Sequence, residues 1–238
     1  MTHSDIYTKF MIEYDKANIT SSYPSLTKYE IATLLDKAYL AIIAQKLTGN
    51  NARRVGLEGD NKAIEDIRPL MVTSKLNKAD ELTLASNEYT YSLKSLYDYL
   101  YYIKGSLDII NYTNSIDDKR HVNVPVDLVT HEDADKFRST EYNLPWMKNP
   151  VCFIENDYIH VLIDPFKYKN NPGTLRFNIT YIKSPRKFVK DNLFDDTLFE
   201  LSDSMAEELI NLTLIFATES TESQGRYTTK TQTIPFES

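Results

Sequence analysis

Thr27 to Thr48 reads TKYEIATLLDKAYLAIIAQKLT. Thr27 and Glu30 stand in a capping-box pattern, whose side chains satisfy two amides that a helix start leaves open. Ile31, Leu34, Leu35, Ala38, Ala41 and Ile42 recur at helical spacing, and Gly49 offers a stop just past the end. Outward on the N-terminal side, Ser4 to Ala17 predicts a first helix. Ser4 can cap it, and Ile6, Phe10, Met11 and Tyr14 line one face. A turn at SSYPS separates the two. A short third helix is expected over Lys62 to Ile67, ending before Pro69. Far along the chain, Ser204 to Ala217 predicts a last helix with Met205, Ala206, Leu209, Leu212, Ile215 and Phe216 on a broad apolar stripe. A helix of this length is marginal alone, so it is expected to pack on the N-terminal helices.

Between these helices the period changes. Thr73 to Asn87 is polar and poorly patterned, and reads as a loop. From Glu88 onward YTYSL, DYLYYI and SLDIINY read as strands, although YSLKSLYDYLYYI also fits a helix. In HVNVPVDLV the residues Val122, Val124, Val126 and Leu128 alternate, and Pro125 places this strand at an edge. THEDADKFR, Thr130 to Arg138, predicts a short helix. Val151 to Glu155 and Tyr158 to Ile163 predict two strands joined at Asn156-Asp157, residues that tolerate the left-handed backbone of a tight hairpin. TLRFNITYI puts Leu175, Phe177, Ile179 and Tyr181 on one face and Arg176, Asn178 and Thr180 on the other, as a half-exposed antiparallel strand does. The expected fold class is α+β, a helical layer from the N- and C-terminal helices with an inserted antiparallel β subdomain and an extended C-terminal arm. Residues 1–72 hold the N-terminal helices, 88–190 the inserted subdomain, 198–218 the C-terminal helix and 219–238 the arm.

That arm reads ESTESQGRYTTKTQTIPFES, and eight of its twenty residues are Ser or Thr. Its apolar residues Tyr227, Ile234 and Phe236 are too few to offset the entropy of ordering it alone. Thr228, Thr229, Thr231, Thr233 and Ile234 are β-branched, which suits an arm that orders on another chain. The candidate partner-binding residues are therefore Tyr227, Thr229, Thr231, Ile234 and Phe236. Pro145 and Trp146 join them, since Leu144-Pro145-Trp146-Met147 is a rigid aromatic segment of the kind found in interface cores.

Composition narrows the function classes. The net charge of −7 and pI near 5.2 argue against a broad phosphate-gripping surface. The single cysteine, Cys152, lies in an apolar run and is expected to be a buried thiol. The start MTHSDIYTKF has no apolar signal core, and no run suits a membrane span, so assembly in a cytoplasm is expected. None of the six glycines builds a phosphate loop, and no GxSxG or HExxH occurs. His131 and Asp135 would share a helix face and could hold a divalent cation with one more ligand. Thr130 and Asp133 explain the same stretch as a capped helix start. The carboxylate pairs Asp117/Asp118, Asp195/Asp196 and Glu207/Glu208, and the basic groups Arg53-Arg54, Lys119-Arg120 and Lys183 to Lys187, read as solvated or docking charges. No catalytic residue, metal or cofactor is expected.

Three segments carry a resemblance: YTKFMIEYDKANITSSYPSLTKYEIATLLDKAYLAIIAQKLTGNN; VDLVTHEDADKFRSTEYNLPWMKNPVCFIENDYIHVLIDP with TLRFNITYIKSPRKF; and FELSDSMAEELINLTLIFATESTESQGRY. In order and phrasing they resemble the head-to-tail adaptors, portal-attached ring proteins, of short-tailed and crAss-like bacteriophages. The resemblance implies a virion structural protein at the head–tail junction, assembled in the bacterial cytoplasm. It implies a homo-oligomeric ring, twelve-fold in such adaptors, with portal above, tail or further ring proteins below, and DNA passing without specific binding. It also implies that the arm reaches into the portal. The other classes left open are a metal-dependent enzyme or regulator acting through His131 and Asp135, and a DNA-packaging accessory.

Overall fold

The computed structural model describes residues 1–16, 26–48, 61–76, 88–112, 120–139, 149–163, 175–188 and 194–221. The chain is mixed α/β; the described residues form five α-helices and a seven-stranded sheet. It divides into two compact units, Met1–Leu70 with Pro185–Ser238, and Met71–Ser184.

The first unit is helical. α1 spans His3–Lys16, α2 Lys28–Thr48, α3 Asn61–Ile67 and α5 Asp203–Thr221. α5 packs against both α1 and α2, which make few contacts with each other. Its residues Met205, Ala206, Leu209, Ile210, Leu212, Thr213, Phe216 and Ala217 are all buried, because two neighbours cover two sides of it. The α2 start forms as its spacing predicts. The Thr27 amide donates to Glu30 Oε2 at 2.7 Å, and the Glu30 amide donates back to Thr27 Oγ1 at 3.3 Å. These hydrogen bonds from the Thr27 amide and then its hydroxyl hold the Glu30 carboxyl below its usual range. The α1 start differs from expectation. Thr2, not Ser4, is the cap: the Asp5 amide donates to Thr2 Oγ1 at 3.1 Å and the Thr2 amide to Asp5 Oδ2 at 2.9 Å. Thr2 and Asp5 have the box spacing, and the Ser4 amide instead donates to the Asp195 carbonyl. Gly49 and the SSYPS turn lie outside the described residues.

The segment entering α5 is stapled to the N-terminus. The Phe199 amide donates to the Met1 carbonyl and the His3 amide to the Thr197 carbonyl, with Thr2 bridging Leu198. Beneath it Tyr7 and Phe194 stack at 4.3 Å, and His3 meets Phe188 at 4.3 Å and Tyr39 meets Phe199 at 5.1 Å as tilted pairs. Phe194 has a φ of 56°, a strained position for a bulky residue that the Tyr7 stack helps to hold.

The second unit carries β1 (Met71–Leu76), β2 (Glu88–Ser92), β3 (Tyr99–Tyr112), β4 (Arg120–Leu128), α4 (His131–Ser139), β5 (Val151–Glu155), β6 (Tyr158–Leu162) and β7 (Leu175–Lys183). The strand order is β1-β7-β3-β4-β5-β6-β2. In a flat sheet β7 and β2, five places apart, would be separated by about 24 Å. Yet the rings of Tyr91 on β2 and Phe177 on β7 lie 5.4 Å apart, so the sheet curls on itself. Inside, Tyr91, Leu107, Val124, Cys152, Val161 and Phe177 share one core drawn from six strands. A smaller core lies where α4 covers the outer side of β5 and β6, with Ala134 against Val151, Phe153 and Leu162.

Four strand readings change. Thr73 to Leu76 is strand rather than loop, because β1 pairs along the edge of β7, with Thr73 and Lys75 facing outward and Leu76 buried. DYLYYI and SLDIINY form one strand, β3, continuous through Gly105. The sheet is not wholly antiparallel: β4 and β5 run parallel at Asp127–Val151 and Leu128–Cys152, with α4 as the crossover. β4 is also interior to the strand order, although Pro125 sits where this costs nothing. Asp127 and Val129 donate toward β5, so by the strand period position 125 points the same way, past the start of β5 at Val151. The hairpin forms as read, with Asn156 at φ 52°.

Candidate partner-binding surfaces

α5 extends through Thr221, so Glu219 to Thr221, read as the start of the arm, belong to the helix. Residues 222–238 lie outside the described residues, and with them Tyr227, Thr229, Thr231, Ile234 and Phe236. Pro145 and Trp146 lie outside them as well. The described surface offers other apolar groups. On the helical unit Ile12, Tyr29, Leu40 and Leu198 are exposed. On the sheet unit Tyr97 is 98% exposed on the turn after β2. Both ends of that turn are tied: the Leu93 amide donates to the Asp157 carbonyl at 2.8 Å, and the Asp98 carbonyl accepts from the Ser184 amide. The backbone is fixed there, and a tyrosine has only two side-chain torsions to order on contact with a partner.

Several ionisable groups of the helical unit pair with one another inside it. Lys46 on α2 donates to Asp66 on α3 at 3.1 Å and lies 3.3 Å from Glu208 on α5. Burial alone would lower the Lys46 ammonium, but the Asp66 hydrogen bond and the Glu208 charge leave it raised. Glu207 pairs with Lys9 on α1, so the neighbouring carboxylates Glu207 and Glu208 serve opposite flanks of α5. The Arg186 amide donates to Glu200 at 2.8 Å, and its guanidinium lies 3.7 Å away, a docking contact of the segment before α5. Arg53, Arg54, Asp117, Asp118 and Lys119 lie outside the described residues.

The helix at Thr130 starts as a capped helix does, with the Asp133 amide donating to Thr130 Oγ1 at 3.3 Å. The His131 ring meets Phe153 edge-on at 5.5 Å. Among the described residues no three His, Cys, Asp or Glu side chains are grouped to hold a metal ion. One polar group escaped the sequence reading. His160 on β6 stacks on Phe153 at 4.8 Å and pairs through Nδ1 with Glu88 on β2, with Thr90 Oγ1 3.5 Å from the same nitrogen. A hydroxyl–imidazole–carboxylate relay needs its two partners on different ring nitrogens. Here both meet Nδ1, so the group ties β2 to β6 and does not form a relay. No local signal could have found it, because Glu88 and His160 are 72 residues apart in the chain. Cys152 is fully buried, and burial pushes its thiol up to about 11.

Compared with known proteins, the chain matches no family model and no curated relative.

Proposed function

We propose that this chain is a ring-forming structural subunit, a head-to-tail adaptor that joins a portal to tail or further ring proteins around a DNA exit channel. The observation that carries the reading is α5, packed on α1 and α2 and ending at Thr221, directly before residues 222–238 in sequence. A segment that follows a packed helix in sequence has a fixed point of attachment, and in this reading the segment engages another chain. The resemblance of three segments, in order and phrasing, to the adaptors of short-tailed phages is in line with the same reading. Neighbouring copies would meet through heterologous surfaces that close into a ring. Many arms engaging one portal would make weak single contacts effectively permanent. An acidic chain lets DNA pass without a phosphate clamp.

The test is to delete residues 222–238 and mix the truncated and full chains with the portal of the same particle. The truncated chain is expected to keep its helical circular dichroism but lose portal attachment in electron micrographs. Attachment at full strength would remove the role of the arm. Failure of the full chain to attach would remove the adaptor reading itself.

A further inference from the structure

His3 sits among the N-terminus, α2 and the segments that lead into α5. Its side chain is buried, its ring is tilted against Phe188 at 4.3 Å, and its Nδ1 lies 4.0 Å from Asp195 Oδ1, beyond hydrogen-bond reach. Three carboxylates act on it, Asp195 and Glu200 before α5 and Asp36 on α2, and Arg186 opposes them. Each of the three already holds a backbone amide. Asp195 accepts from Thr197 at 3.0 Å, Asp36 from Phe188 at 2.7 Å and Glu200 from Arg186 at 2.8 Å. Carboxylates committed to amides are held back from the ring, so burial outweighs their pull and keeps the imidazole below its usual pKa. An imidazolium in this pocket has two ways to be stabilised. It can take one of the carboxylates from its amide, or it can move out to water, and both release the same segments.

We infer that His3 is a proton-operated latch on the N-terminal staple, which opens in mild acid while α2 and α5 stay packed. The staple joins residues 1–4, 186–188 and 194–199. Its other ties are the Phe199 amide on the Met1 carbonyl, the His3 amide on the Thr197 carbonyl, the Ser4 amide on the Asp195 carbonyl and the Met1 ammonium 2.7 Å from Asp203. The rest of the unit is held separately. α1 packs on α5 with Ile6, Phe10 and Tyr14 buried and Lys9 paired to Glu207, and Lys46 ties α2 to Glu208 of α5. The chain returns from the sheet unit at Pro185, so the latch lies on one of the two crossings between the units. Above about pH 6.5 the imidazole is neutral whether the staple is closed or open, and the latch is closed. As the pH falls below that value the open form takes up the proton first, and one proton favours opening by at most about tenfold per pH unit. A latch of this kind works within a single copy and stands apart from the ring reading.

Amide hydrogen exchange on the full chain tests it, with rates corrected for the intrinsic effect of pH. From about pH 7.5 to 5.5, protection of the amides of residue 3, Ser4, Arg186, Phe188, Thr197 and Phe199 is expected to fall severalfold, and by no more than about tenfold. The amides of α2 and of residues 207–217 in α5 should keep theirs. In His3→Asn the protection of the staple should be the same at both pH values, whatever its absolute level. His3→Phe, which keeps a ring against Phe188 and takes up no proton, gives the same readout should the Asn variant lack helical circular dichroism. Equal staple protection at both pH values in the wild-type chain overturns the latch. So does an equal fall throughout α2 and α5, or a fall that persists in the His3 variants.

Discussion

Gly105 lies in β3 where the curled sheet brings Phe177 close. A Cβ there would fall 2.4 Å from Phe177 Cζ and 2.8 Å from the Tyr102 hydroxyl. Phe177 is fully buried against Tyr91 and has nowhere to move. Gly105→Ala is therefore expected to destabilise the sheet unit by about 2 kcal/mol, as overpacking does, read as a lower urea midpoint with unchanged slope. His3 makes a pH-dependent contribution. Burial lowers its pKa from the usual 6.5, against the opposing pull of Asp195, Asp36 and Glu200. The folded form thus keeps its imidazole neutral at a pH where the unfolded chain takes up a proton. Its contribution is complete above about pH 6.5 and declines as pH falls toward the folded pKa. Urea unfolding from about pH 7.5 to 5.5 should show this loss in wild type and a flatter profile in His3→Asn. Parallel profiles would show that burial of His3 has no proton linkage.

At the scale of elements, helix starts were legible because their signals lie within four residues. The Thr27–Glu30 box formed as spaced, and Thr27→Ala is expected to cost about 1 kcal/mol, checked by thermal unfolding. Ser4 was misread as a cap because Thr2 has the same chemistry and the better-placed partner in Asp5. Strands were legible where one face is buried, as in β7, whose alternation survives intact. β1 was not, since an edge strand with Thr73, Ser74 and Lys75 takes its conformation from its neighbour. The candidate site divides in the same way. Arm residues stood out by composition, whereas the exposed faces of α1 and α2 emerge only once α5 shows which sides are covered.

At the scale of the whole molecule, the sheet unit carries its own reporter. Cys152 lies in the core shared by the curled strands. With its thiol at about 11, on the order of one in ten thousand is ionised at pH 7, and burial blocks even that fraction. Labelling by a thiol reagent is expected only through opening of this unit, and Gly105→Ala should speed it about 30-fold, the factor matching about 2 kcal/mol. Fast stoichiometric labelling of the native chain would contradict a closed curled core.

The sequence by itself determined where helices begin, which of their faces are apolar, where the Asn156 hairpin turns and that Cys152 is inside. Each depends on residues close in the chain or on simple transfer from water. Only the tertiary structure decided the curl that joins Tyr91 to Phe177, the parallel step from β4 to β5, the pairing of β1 and the tie between Glu88 and His160. These are choices among partners distant in sequence. Local patterning leaves such choices open, and the shared burial of one core closes them.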